Sequence, residues 1–298
     1  PSFALDDITK IPRFKSFNAQ EFGCKLWWIE YGGRMDTVHD TEKIKWELWK
    51  IVYGVWNYIK NSGKFPEAET LTLEWVGMIP GKRESRRFEG DYMLKQQDIT
   101  EQRVHADAVA FGGWSIDLHP SDGVYSEQPG CNQWHSKGIY QIPFRCLYSK
   151  NIANLFLAGR IISATHVAFG SCRVMATSAY VAQASAMAAS LCKKYQCNPA
   201  GLLKQERMNE LQLRLTRAGQ HIPNVMVRDE LDLVQRAKIT ASSELTLTEI
   251  EENGNPQPLD LPVGQMIPLA AGGIPDIIIH AYAEKETLLQ AEIRICSR

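Results

Sequence analysis

The sequence predicts a mixed fold: an α+β first half, an α/β segment in the middle, and a small all-β module at the end. Three observations predict it. From Asp40, Ile44, Leu48, Ile51, Val52, Val55, Trp56 and Ile59 recur at helical spacing between strand-like runs. Residues 154–158 form a short, continuously apolar run that ends at Gly159 and leads to an Ala-rich stretch, as expected of a buried parallel strand feeding a helix. Beyond Pro223, strand-like runs alternate with Asn253-Gly-Asn-Pro256 and Gly272-Gly273 turns. The expected boundaries are 1–148, 149–225 and 226–298.

Taken in order, Lys25-Leu-Trp-Trp-Ile-Glu-Tyr31 is rich in aromatic residues and stops at Gly32-Gly33, which suits a strand entering a turn. The helix from Asp40, capped by Asp40 or Thr41, stops at Asn61-Ser62-Gly63. Thr70-Leu-Thr-Leu-Glu-Trp75 alternates as a half-buried strand should, and so does Trp114-Ser-Ile-Asp-Leu-His119. The latter is expected to pair with one of the two earlier strands, and its alternation puts Asp117 and His119 on one face. Residues 174–195 lack Gly and Pro and end in Lys193-Lys194, cations that suit a helix C-terminus. A more polar helix follows at 202–218, closed by Gly219. Strands are expected at 237–241, 245–250, 277–282 and 291–295. That module is short for a complete sandwich and is expected to be partial.

Composition excludes several classes of partner. Over 298 residues, Lys plus Arg total 33 against 34 for Asp plus Glu, a net charge of -1. That balance gives no electrostatic reason to expect nucleic acid or an anionic membrane. No apolar run approaches the roughly 20 residues of a membrane span. Residues 1–17 lack the apolar run of a secretory signal, which leaves the compartment open between cytoplasm and periplasm or secretion. Seven cysteines include no CxxC pair, so no metal site is expected. Cys192 and Cys197, the closest pair, read as free thiols. Cys131 and His135 lack further ligands, and Gly77-x-x-x-Gly81-Lys82 is one residue short of a P-loop.

The chemistry concentrates in residues 154–179, Asn154-Leu-Phe-Leu-Ala-Gly-Arg-Ile-Ile-Ser-Ala-Thr-His-Val-Ala-Phe-Gly-Ser-Cys-Arg-Val-Met-Ala-Thr-Ser-Ala. A helix expected to start near Gly170 or Ser171 would aim backbone N–H groups and a positive dipole end at a sheet edge, which favours an anionic or electron-rich ligand. This segment resembles the C-terminal flavin-binding motif of the FAD-dependent oxidoreductase family, among the glutathione-reductase-like flavoproteins. Trp27-Trp-Ile-Glu-Tyr-Gly-Gly33, Pro80-Gly-Lys-Arg-Glu-Ser-Arg-Arg87, Ile116-Asp-Leu-His119 and Tyr140-Gln-Ile-Pro-Phe-Arg145 are similar to segments of bacterial members. The resemblance covers about residues 20–225, and a β-sandwich-like tail also occurs among such proteins.

The resemblance implies part of a Rossmann-like FAD/NAD(P)-binding domain with an inserted α+β substrate domain. It implies FAD as cofactor and a small organic molecule, with carbohydrate derivatives as candidates, as substrate of hydride transfer; the electron acceptor is left open. Carried over by position, Gly159, Arg160, Ser163, Gly170, Ser171, Arg173, Val174 and Met175 would meet the cofactor. His166 and Arg173 are the candidate catalytic residues, since a His can shuttle a proton during hydride transfer. Arg83, Arg86, Arg145 and His119 are candidates for the substrate. No GxGxxG occurs in the chain. Pro1 is therefore expected to lie inside a longer reading frame or at the start of a shortened chain, and the competing expectation is a non-catalytic ligand-binding protein or fragment that has lost FAD binding.

Overall fold

The first long helix, α1 (Thr41–Asn61), forms where the helical periodicity places it. Its apolar stripe buries Ile44, Ile51 and Val55, and the chain leaves it at Ser62 before Gly63, whose φ is +73°. Gly54 lets α1 approach the N-terminal segment, because a Cβ there would lie 2.8 Å from the Leu5 Cβ. A small core of Ile8, Ile11, Ile51, Val55 and Val124 fills this contact. The computed structural model describes residues 1–16, 29–226, 229–243, 255–260, 263–264, 274 and 276–293.

A larger core lies between helices and two short sheets. After the single-turn α2 (Gln96–Thr100) come β1 (Ala108–Gly112), β2 (Ile116–Leu118), β3 (Asn132–Trp134) and β4 (Tyr140–Pro143). β1 pairs antiparallel with β4, with a register shift between Ala108 and Ala110, and β2 pairs antiparallel with β3. Three helices follow: α3 (His166–Cys172), α4 (Met175–Tyr195) and α5 (Gln205–Arg217). Val109, Ile142, Phe144, Val181, Ala184, Leu191, Leu211 and Leu215 are buried together where α4 and α5 cover the β1–β4 pair. Gln212 and Gln220 donate from this helical layer to the carbonyls of Ala108 and Val109, so the outer rim of β1 keeps its acceptors satisfied.

Several expectations are corrected. The helix start expected near Gly170 or Ser171 falls inside a separate helix, since α3 begins at His166 and a break at Arg173–Val174 precedes α4, whose span agrees with the helix read at 174–195. Residues 154–158 make a single antiparallel bridge, Phe156 to Tyr148, in place of a parallel strand. Residues 71–75 belong to no strand, and Trp75 is 75% exposed, because alternation without a partner buries nothing. The partner of β2 is β3, from a segment not read as a strand. The expected strand at residues 25–31 falls largely outside the described residues.

Chain contacts divide the molecule into Pro1–Ala237 and Lys238–Arg298. Among the described residues of the second unit none lies in a strand, those at 238–241 and 277–282 included. The expected strand at 245–250 lies outside the described residues. Among the described residues, no helix is long and apolar enough to cross a membrane.

Candidate functional site

The site grows from the contact between α3 and β2. A Cβ on Gly170 would come within 2.9 Å of the Asp117 carbonyl and 3.0 Å of Leu118 Cδ2, so only glycine lets the helix lie on the strand this closely. Ser171, fully buried beside it, shares a hydrogen bond of 2.7 Å with the Tyr140 hydroxyl and donates to the Trp114 carbonyl. Thr165 caps α3 through Ala168 N–H, and residues 163–165 are held by Leu94, which donates to the Ser163 carbonyl and accepts from Thr165 N–H. The result is a fixed exit from α3 at Arg173.

Arg173 leaves this exit toward β2. Its guanidinium donates to Asp117 Oδ2 at 2.7 Å and reaches His119 Nε2 at 3.4 Å. His119 Nδ1 lies 2.7 Å from Glu30 Oε2, and Arg83 donates to Glu30 Oε1 at 2.7 Å. With Nδ1–H donating to the Glu30 carboxylate, Nε2 carries the ring's lone pair. Asp117 and His119 therefore do more than share a strand face: His119 Nε2 is 3.4 Å from Asp117 Oδ2. Arg173 is held below its usual pKa by burial first, then by repulsion from Arg83, against the opposing pull of Asp117. Arg13, whose guanidinium donates to the Pro129 carbonyl and feels Glu30, is likewise lowered by burial. Cys131 borders the cluster, its thiol pushed up by burial and by the Asp117 carboxylate.

The run 80–87 crosses beside this cluster. Lys82 Nζ donates to Thr41 Oγ1 at 2.7 Å, and the Lys82 carbonyl accepts from Arg160 at 3.2 Å. Glu84 holds His166 Nδ1 at 2.6 Å and pairs with Arg87. His166, the first residue of α3, thus sits at the exposed rim with Glu84, while His119 sits with Arg173. Arg86 is exposed, near enough to Asp36 to help lower its carboxyl after the backbone N–H groups of His39 and Val38. Arg145 stands apart from these contacts: it grips Asp107 with two 3.0 Å hydrogen bonds and lies over the Tyr92 ring, tying the turn after β4 to the approach to β1.

On the other side of Arg173 the surface is open. Val174 caps α4 without a side-chain hydrogen bond, which leaves first-turn N–H groups for another acceptor, and Met175 is 89% exposed. Gly159 has φ +64°, and among the described residues, its chain neighbours aside, no atom lies within 4 Å of where its Cβ would stand. Arg160 and Ile161 follow it on the same exposed turn, whereas Ser163 is fully buried, its hydroxyl lacking a hydrogen-bond partner. Trp27 and Trp28 lie outside the described residues.

A family model described as FAD dependent oxidoreductase matches residues 3–215, more than half of the chain. The chain belongs to the FAD dependent oxidoreductase family. No curated protein and no solved structure matches it. Membership implies FAD as cofactor, and the residues present fit an edge of that group. An uncapped end of the 21-residue α4 offers N–H donors, Met175 and Ile161 offer exposed apolar surface, and the clear space over Gly159 admits a close backbone neighbour. Of the residues expected at the site, Arg160 and Met175 are exposed and Gly159 and Val174 are half-buried. Arg173, His119 and Arg83 share one charged network. Gly170 and Ser171 build the support beneath it. Glu30 appeared in the sequence only as part of the Trp27–Gly33 segment and Arg13 not at all, and both reach the network through the fold.

Proposed function

We propose that this protein passes a hydride between bound flavin and a small organic substrate, with His119 as the proton acceptor and the surrounding guanidinium groups as the substrate anchor. The observation that carries the reading is the Glu30–His119–Asp117–Arg173 network, with Arg83 at its rim, where the α3–α4 break meets β2.

When bound, FAD supplies two-electron redox chemistry. Gly159, Arg160, Val174 and Met175 would hold it, and Ser163 would support the turn from beneath. N–H groups at the start of α4 favour negative charge beside them. Glu30 fixes the His119 ring through Nδ1, which leaves Nε2 to take a proton from a substrate hydroxyl. In the reverse direction the same nitrogen returns that proton to a carbonyl oxygen. Asp117 orients Arg173, and three guanidinium groups (Arg13, Arg83, Arg173) face two carboxylates (Glu30, Asp117) around the imidazole. One positive charge is left over, which suits a substrate bearing a carboxylate or several hydroxyls, as a sugar acid does. His166 is the second candidate for proton transfer, with Glu84 as its partner.

FAD titration followed by anaerobic reduction tests the reading. Flavin is expected to bind, and His119→Gln is expected to slow flavin reduction by a substrate found in a screen of hydroxy acids by roughly 10²–10⁴-fold. Equal rates in His119→Gln and wild type would remove His119 from the chemistry. The absence of GxGxxG from this sequence favours one other reading, a non-catalytic fragment or ligand-binding protein that has lost FAD binding; a chain that binds no flavin would favour it over hydride transfer by this chain alone.

A further inference from the structure

The far end of α4 carries two thiols for which hydride transfer has no use. The helix ends with Gln196 in the left-handed region, φ 48°, ψ 49°. Cys197 N–H donates to the Cys192 carbonyl at 3.1 Å, and Gln196 N–H donates to the Lys193 carbonyl at 3.4 Å. These are the six-to-one and five-to-two bonds of a Schellman ending, which brings the side chains of the two residues joined by the longer bond into contact, usually as an apolar pair. In this chain both are cysteines. Each thiol is free and half-buried, and the two are close enough to hydrogen bond.

The surroundings preserve that contact. A Cβ on Gly201 would lie 2.9 Å from Cys197 Cβ and 3.1 Å from its sulfur, so the glycine leaves Cys197 its room. Arg207 donates to the Gly201 carbonyl at 3.0 Å and lies over the Tyr195 ring, and its charge favours a Cys192 thiolate. Burial and then Cys197 act against it and push the Cys192 thiol up to about 11. A backbone hydrogen bond between the two residues themselves suits the Cα separation of roughly 4.4–6.8 Å that a disulfide spans.

We propose that Cys192 and Cys197 form a reversible dithiol–disulfide pair that clips the C-terminal turn of α4, with a small-molecule disulfide such as oxidised glutathione as the oxidant. One protein thiolate attacks a glutathione sulfur, forming a mixed disulfide and releasing one glutathione thiolate. The other protein thiolate then attacks the protein sulfur of that mixed disulfide and releases the second glutathione. Two protein thiols lose two protons and two electrons, and one oxidised glutathione becomes two reduced molecules. Because the thiolate is the nucleophile, the exchange accelerates as pH rises toward 11. Cys146 and Cys172 are buried and shielded from the reagent.

The test equilibrates the full FAD-treated chain in glutathione buffers of graded poise at pH 8, then quenches, alkylates and digests with trypsin. Cleavage at Lys193 and Lys194 separates the two cysteines, so a disulfide joins peptide 174–193 to peptide 195–204 at two hydrogens below the summed mass. The linked species is expected to grow with oxidation. Cys192→Ser and Cys197→Ser are each expected to abolish it and leave a glutathione adduct on the remaining thiol. Separate alkylation or separate glutathione adducts on both cysteines of the wild type, at every poise, would overturn the pair. Amide exchange at Gln196 and Cys197 is expected to slow roughly tenfold on oxidation; unchanged exchange in the linked form would overturn the clip.

Discussion

Replacing Asp117 with Asn removes the charge facing Arg173 and keeps the side chain's size. The two side chains are 10% and 13% exposed and meet at 2.7 Å. At that distance and an effective dielectric of 20, their attraction is about 6 kcal/mol. Burial cancels much of this, since drawing a guanidinium out of water costs several kcal/mol, the same effect that lowers the pKa of Arg173. Asn also retains an oxygen that accepts from Arg173. The net destabilisation is therefore expected at about 2–4 kcal/mol, or a fall in Tm of roughly 5–12 °C for a unit of this size. Calorimetry of wild type, Asp117→Asn, Arg173→Met and the double variant measures it. The double variant, which leaves neither charge stranded, is expected to recover at least half of the summed loss. A loss below about 0.5 kcal/mol for Asp117→Asn, or strictly additive single changes, would refute the buried pair as an energetic coupling.

Three other outcomes follow from the same geometry. Gly170→Ala drives a methyl against the backbone of Asp117 and is expected to cost about 1–3 kcal/mol, read as a lower urea midpoint; unchanged stability would mean α3 is not seated on β2 as described. Gly159→Ala meets no protein atom but strains a φ of +64°, so about 1 kcal/mol of stability is expected to be lost together with FAD affinity, while Gly159→Asn restores stability alone; full affinity in both would place the flavin elsewhere. Glu210 is held at about 2 by Lys194, then by Tyr195 and Arg214. A depressed carboxylate contributes stability that is complete above its unfolded pKa near 4.5 and is lost as pH falls toward 2, so Glu210→Gln is expected to flatten the acid limb of a Tm-versus-pH curve across that window.

The helices were legible and the sheets largely were not. α1 and α5 announce themselves by periodicity, and α4 by a run of small residues without Gly or Pro. β1, Ala-Val-Ala-Phe-Gly, has the composition of a helix end, and β4 contains a proline, so neither shows the β-branched alternation of a strand. Residues 71–75 show that alternation and pair with no strand among the described residues, because pairing is decided by partners distant in sequence. The site divides the same way. Arg173 and the 80–87 run stood out by residue type and resemblance, and Asp117 with His119 by spacing. Glu30 lay in a segment that resembled the family, but its pairing was not legible, since it is 53 residues from Arg83 and 89 from His119. α4 was read nearly to its start at Met175, whereas α3 was missed as a separate helix, since it begins at His166, ahead of the start expected near Gly170.

The run 80–87 holds to the rest of the molecule through side chains at the solvent boundary: Lys82 on Thr41, Arg83 on Glu30, Glu84 on His166. Such pairs belong to the solution as much as to the protein. The Debye length shrinks from about 8 Å at physiological salt to about 3 Å at 1 M, and exposed pairs weaken with it, while the packed seat of α3 on β2 feels almost none of the change. Ionic strength therefore acts on this molecule as a graded control, loosening the 80–87 run long before it touches the fold, so that the chain in concentrated salt would be well folded and poorly assembled.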